Sequence, residues 1–206
     1  MDSAALLSRH LDAFAGSSPE IVDGLSSEQL AWRPQNQANS IGWLVWHQSR
    51  VHDDHIADVA GLDQVWMRDG WYDRFGLDLP PRDIGYGHRP DSVVKVRVTA
   101  ERLVGYDAAV AAQTERFVAQ LEPGDLDRVV DETWTPAVTL GVRLVSVISD
   151  CLQHLGQAGY VRGLGQAICA RDSAGCAVRR WRYWCELARV ATPEAGGSMT
   201  PAALMD

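Results

Sequence analysis

Lysine is all but absent from this sequence. Lys95 stands alone, so arginine supplies 18 of the 19 basic residues, and 27 acidic residues leave a net charge of -8. That balance argues against generic binding to nucleic acid or anionic membrane and leaves room only for a local basic patch. With abundant Ala, Val and Gly, the arginine preference reads as the codon usage of a GC-rich genome. Long apolar runs are also missing. No stretch approaches the roughly 20 residues that would span a bilayer. The opening "MDSAALLSRHLDAFAG" has an acid at position 2 and no uninterrupted apolar segment, so no signal peptide is expected. Cysteine is scarce and scattered: Cys151, Cys169, Cys176 and Cys185 form no C-x-x-C pair, so neither a zinc knuckle nor a thioredoxin-like motif is suggested. A cytoplasmic protein with reduced thiols is the expectation. Alternating β-branched runs are few, which leaves little room for a sheet.

What remains is an ordinary globular composition, 46% hydrophobic and 22% charged over 206 residues, enough for one full-sized core. Four segments carry helical apolar spacing. The first runs from about Ala4 to Asp23, followed by a Ser-x-x-Gln box, Ser26 to Gln29, that opens a short helical turn. The second, capped by Asn39 or Ser40, reaches about Ala60 and stops at Gly61. A long irregular stretch from about Trp66 to Ser92 follows, rich in Gly, Pro, Asp and aromatics, and reads as an ordered loop. The third helix spans about Ala100 to Leu121, and the fourth about Thr139 to Leu164. The expectation is an all-α fold: a four-helix bundle with a long crossover loop between helices 2 and 3. The bundle covers residues 1–165. Residues 166–206 form a C-terminal extension, with one short helix from about Cys176 to Val190 and a flexible tail. Two hydroxyl-aliphatic-glycine triplets, Ser40-Ile41-Gly42 and Thr139-Leu140-Gly141, open helices two and four and hint at a repeat of two helix pairs.

Chemistry concentrates in "SVISDCLQHLGQAGYVRGL", where Asp150 and His154 lie four residues apart inside an apolar pattern. That spacing puts them on one helix face, about 40° apart. Alone, such a pair reads as an ion pair or hydrogen bond. His47, set after Trp43, Leu44 and Trp46 in the buried start of helix two, reads alone as a hydrogen-bonded core residue. Together the three shift the reading: two imidazoles and one carboxylate are the ligand set of a catalytic zinc or non-haem iron, with a position left open. His52 and His55 compete with His47, but Asp53 and Asp54 beside them point to a solvated face. His10 and His88 have no supporting neighbours, and Cys151 reads as an inert core thiol.

The run "NSIGWLVWHQSRVHDDHIADVAG" resembles the second helix of DinB-like metal-binding proteins, an aromatic-rich segment ending in W-H. "VTLGVRLVSVISDCLQHLGQAGYVRGL" is similar to their last bundle helix, where two ligands sit four apart ahead of G-Q. "VWMRDGWYDRFGL", "GYGH" and "VVDETW" are similar to an actinobacterial branch of that group. The resemblance covers roughly Ala4 to Leu164. It implies a divalent-metal triad of His47, Asp150 and His154, with zinc expected first and nickel or iron as alternatives. Many members have histidine where this chain has Asp150. An acid there, usually Glu, is the pattern of thiol-using relatives, including mycothiol-dependent maleylpyruvate isomerase.

Three functions follow. The first is a metal-dependent S-transferase or isomerase that joins a low-molecular-weight thiol such as mycothiol to a small electrophile. In it Trp43 and the aromatic loop residues Trp66, Trp71 and Tyr86 would wall the site. Gln157 would orient a ligand or water, and Arg162 would position an anionic group. The bland readings are a helix-end hydrogen bond for Gln157 and a salt bridge for Arg162. The second function is metal-dependent hydrolysis, with Asp54 or His55 as a base. The third is a non-catalytic, stress-related bundle that binds metal or a small ligand, or pairs into a homodimer through its exposed helices.

Overall fold

The computed structural model describes residues 6–7, 9–11 and 17–173. The described residues form an all-α bundle with one small hairpin. In the stretch expected as the first helix, residues 6–7 and 9–11 are helical, and α1 spans Ser17–Val22. Helix α2, Ser27–Ala31, opens on the expected capping box: Gln29 N–H donates to Ser26 Oγ, and Ser26 N–H donates to Gln29 Oε1.

Helix α3, Ile41–Ala60, is the axis of the molecule. Ser40, not Asn39, caps it by accepting from Trp43 N–H at 3.1 Å, and Gly61 ends it in the left-handed conformation. Every residue from Ile41 to Asp53 is buried. A helix enclosed all round must satisfy its polar side chains with protein partners, since water is excluded. Helix α8, Leu140–Ser173, packs along α3 over much of its length and continues past the Leu164 end expected from the sequence. The separate C-terminal helix expected near Cys176–Val190 lies outside the described residues.

The crossover is more structured than its composition suggests. Three short helices interrupt it: α4 (Val65–Arg68), α5 (Trp71–Phe75) and α6 (Pro90–Val93). Its aromatics are the reason, because Trp66 and Phe75 turn inward against Tyr106 of α7 (Ala100–Val118), each pair with ring centroids less than 6 Å apart. A 3₁₀ turn, Pro123–Asp127, then leads to the antiparallel pair β1 (Val129–Asp131) and β2 (Val138–Thr139), with Val129 opposite Thr139.

The two hydroxyl-aliphatic-glycine triplets do the same job. Thr139 Oγ1 accepts from Val142 N–H as Ser40 does from Trp43. A Cβ on Gly42 would lie 3.1 Å from Leu30 O, and one on Gly141 would lie 3.2 Å from Leu126 O. Glycine lets the first turn of each helix rest directly on the preceding chain.

Candidate metal centre

Three side chains from two helices converge. On α3, the His47 ring stacks on Trp43 one turn earlier, with centroids 4.6 Å apart. His47 Nδ1 donates to the carbonyl of Ile84. A carbonyl only accepts, so the proton sits on Nδ1 and Nε2 presents its lone pair. Burial pushes the His47 pKa down, and the Ile84 bond works against that shift. The ring is therefore a neutral donor.

On α8, the four-residue spacing brings His154 Nε2 to 3.6 Å from Asp150 Oδ1, too long for a good hydrogen bond. The His154 ring meets His47 edge-on at 4.7 Å. The neighbouring His154 imidazole holds the Asp150 carboxyl below the usual carboxylate range, against the cost of partial burial. One ligand atom from each of His47, Asp150 and His154 lies within 4.8 Å of the others.

Two atoms of this cluster are buried with no hydrogen-bond partner: Asp150 Oδ2 and His154 Nδ1. Each such orphan costs about 1–3 kcal/mol unless something outside the chain satisfies it. Two imidazoles and one carboxylate, drawn together with unsatisfied atoms among them, fit a divalent cation that keeps a further position open.

The residues around the triad were not visible from spacing. The segment 83–88 lies as a strap over His47. Gly85 N–H donates to Asp83 Oδ1 at 2.7 Å, and Asp83 Oδ2 lies 2.9 Å from His88 Nε2. Trp43 Nε1–H donates to His88 Nδ1 at 3.1 Å, so His88 presents Nε2–H to Asp83. His88, which has no supporting neighbours in the sequence, closes a loop from Asp83 through Trp43 to His47. Gly85 has φ +90, and a Cβ there would fall 2.7 Å from His47 Nδ1. Only glycine lets the strap lie this close. Buried Arg50 anchors the other end, donating from Nε to Asp83 O at 3.2 Å. Asp83 followed two residues later by glycine is the signature of a side-chain-closed turn, and "DIGYG" carried that signal.

Other expected site residues land elsewhere. Arg162 donates to the Glu20 and Ile21 carbonyls at the end of α1, the latter at 2.8 Å. Gln157 is exposed on α8, and Tyr86 is 90% exposed. Trp66 is buried with Tyr72, Phe75 and Tyr106 about it and the Arg50 guanidinium 4.8 Å over its ring. Trp71 packs on Phe75 and Tyr106, beneath Arg74. Of the aromatics expected at the site, Trp43 is the one in ring contact with the triad.

The solvated face expected around His52 and Asp53 is a correction. Both are fully buried: His52 Nε2 lies 2.8 Å from Thr114 Oγ1, and Asp53 accepts from Val65, Trp66 and Tyr106. The front of this charged-looking run is buried because α7 and the crossover supply partners to His52 and Asp53. Beside them, Asp54 accepts from Gln64 and the half-buried His55 lies 3.9 Å from Asp54. Cys151 is buried, with its Sγ directed at the Gln48 carbonyl at 3.7 Å. Desolvation pushes its thiol well above the normal range, so it stays protonated.

A family model described as mycothiol-S-transferase matches residues 5–166. The chain belongs to the mycothiol S-transferase family. Among solved structures, it is similar to a conserved protein from Enterococcus faecalis, 34% identical, with a TM-score of 0.74 over 79% of this chain and 96% of that one. No curated protein matches it. The match to the mycothiol S-transferase family spans all three triad residues and ends at residue 166, inside α8. No helix among the described residues is long and apolar enough to cross a membrane.

Proposed function

We propose that this chain is a divalent-metal-dependent S-transferase that joins a low-molecular-weight thiol of the mycothiol type to a small electrophile. The observation that carries the reading is the clustering of His47, whose tautomer is already set, with Asp150 and His154, which leave Asp150 Oδ2 and His154 Nδ1 buried without partners. Membership in the family supports a thiol cosubstrate of the mycothiol type. Zinc is the metal that the nitrogen and carboxylate donors suit first, with nickel or iron as alternatives.

When bound, a divalent ion would supply Lewis acidity, favouring the thiolate form of a coordinating thiol near neutral pH. The protein's own contribution is preparation. The Ile84 carbonyl keeps the Nδ1 proton on His47 and aims Nε2 at the site. Asp150 supplies the one negative charge among the three donors, so with a divalent ion the site stays net positive and favours an anionic sulfur. Trp43, stacked on His47 and edge-on to His154 at 6.3 Å, keeps water from that side of both rings. Cys151, buried and protonated, is no competitor as nucleophile.

The test has two parts. Metal analysis of protein purified without a polyhistidine tag should give one divalent ion per chain. Consumption of a model electrophile should require mycothiol, with S-alkylated mycothiol as the product. A metal-free protein with intact fold would overturn the reading. Turnover without thiol would replace it with hydrolysis.

A further inference from the structure

Arg143 sits where a helix disfavours a cation. Helix α8 begins at Leu140, so Arg143 stands in its first turn, beside backbone N–H groups that carry partial positive charge. No acidic residue shares that turn. The charge is answered from outside the helix: Arg143 Nη2 donates to Asp131 Oδ2 on β1 at 2.9 Å. Both oxygens of Asp131 are committed. Its Oδ1 accepts from Thr133 N–H at 2.9 Å and from Thr133 Oγ1–H at 2.6 Å. Those two bonds, with the guanidinium, hold its carboxyl below the usual range, so Asp131 is charged at neutral pH and the pair is neutral as a unit. Arg143 Nε is nevertheless buried with no hydrogen-bond partner. This guanidinium lacks an acceptor, not a counter-charge.

Its position ties it to the metal centre. Seven residues separate Arg143 from Asp150, which places both on one stripe of α8, about 20° apart in angle and roughly 10.5 Å apart along the axis. Helix α3, packed along this stretch, carries His47, Val51 and His55 at intervals of four. His55 lies within electrostatic reach of both Asp150 and Arg143. Burial first, then the guanidinium, push its pKa down against the pull of Asp54, Asp150 and Asp58, so the ring is neutral. Between the two ends the helices contribute Val51 and Val147, both buried. The line from the triad thus runs over an apolar middle to a positioned guanidinium beside a neutral imidazole.

We propose that Arg143 selects the electrophile by donating to a neutral carbonyl oxygen carried at the end remote from the reacting carbon. This rests on the transfer reaction proposed above, which puts the reacting carbon at the triad. An apolar chain between the two groups suits Val51 and Val147, with the polar contact at its end fixing orientation. A carboxylate in place of the carbonyl is turned away. It would share the guanidinium with Asp131 and stand near Asp54 and Asp58, with no further cation to balance it. A carbonyl takes up an unused N–H without adding charge. Arg143 touches none of the reacting atoms, so its effect belongs in KM more than in kcat.

The test compares ω-bromohexanamide, ω-bromohexanoate and bromohexane, each of which loses bromide to the thiolate of mycothiol. For the native chain kcat/KM should be about ten-fold or more higher for the amide than for either of the others. Arg143→Met should abolish the preference for the amide over bromohexane, mainly through KM. Asp131→Asn leaves the guanidinium without its counter-charge and should improve the carboxylate about ten-fold relative to the amide. A second readout needs neither metal nor thiol. In isotope-labelled metal-free protein, the Arg143 Nε–H resonance, identified by its loss in Arg143→Lys, should move with hexanamide and stay in place with hexanoate. In Asp131→Asn, hexanoate should move it as well. A resonance that hexanamide leaves unmoved, or that hexanoate moves as far in the native chain, would overturn the proposal even where thiol transfer is confirmed. An Arg143→Met enzyme that keeps the amide preference would overturn it too. If transfer fails while hexanamide still moves the resonance, the acceptor site stands and the thiol reaction falls.

Discussion

Asp53 on α3 and Asp150 on α8 are both carboxylates set into apolar helix patterns, and they have opposite fates. Asp53 is fully buried and fully answered. Its oxygens accept from Val65 N–H at 2.9 Å, Trp66 N–H at 2.8 Å and Tyr106 Oη–H at 2.8 Å, with the Arg50 guanidinium 3.5 Å away. Arg50 in turn donates to Tyr106, to Gln64 and to the Asp83 carbonyl. Asp150 is less buried, yet its Oδ2 has no hydrogen-bond partner and its nearest imidazole stands at 3.6 Å. At Asp53 the carboxylate is surrounded by donors that tie the crossover to the bundle. At Asp150 one oxygen is left for something that binds.

Breaking the first carboxylate should have the largest effect. Asp53→Ala removes the acceptor for two backbone N–H groups and leaves Arg50 buried without its counter-charge. A loss of about 3–5 kcal/mol in urea unfolding is expected. Breaking the second should leave the fold intact and empty the site. His154→Ala or Asp150→Ala should stay within about 1 kcal/mol of the parent in metal-free unfolding. Divalent-metal affinity, measured by competition with a chromophoric chelator, should fall about 100-fold or more. An equal loss of stability at both positions would mean that Asp150 is structural like Asp53.

One of these two regions is legible in the amino-acid sequence and the other is not. The Asp150–His154 spacing and the W-H ending of the aromatic run are local patterns, and the family resemblance is what joins them into a candidate triad. Asp53 and His52 look solvated in sequence because their partners, Tyr106 and Thr114, are more than 50 residues away. Nothing in "VHDDHIAD" distinguishes a solvated acid from one met by distant donors. The bundle is legible for the same reason as the triad, since helical period and caps are local. The crossover helices are not, because aromatic burial against α7 stabilises them and not their own spacing. The strap over His47 lies between these cases: its turn chemistry is local, and its contact with the His47 ring is not.

That strap offers a milder way to separate the two regions. Gly85→Ala would place a Cβ 2.7 Å from His47 Nδ1 at φ +90, a conformation that costs a non-glycine residue about 1–3 kcal/mol. The strap must retreat, and His47 loses the acceptor that fixes its tautomer. Metal affinity should fall about 10-fold, less than on loss of a ligand, because all three donors remain. Unchanged affinity with unchanged stability would show that the strap merely covers the ring.

Acid should test the structural side with the smallest effect. His52 is enclosed by α3 and α7, and burial lowers its pKa from 6.5 to about 3. Unfolding releases it to its ordinary value, so between those limits the unfolded chain binds a proton that the folded chain refuses. This contribution to stability is complete above pH 6.5 and is lost as pH falls toward 3. From pH 6.5 to 5.5 the loss from this one group is about 1 kcal/mol. His52→Gln, which preserves a polar group facing Thr114, should flatten that slope in urea titrations while leaving metal affinity at neutral pH unchanged. If the slope persists in the variant, another buried base controls acid sensitivity. If metal affinity falls as well, the two sides of α3 are coupled, and the division between an answered carboxylate and an open one does not hold energetically.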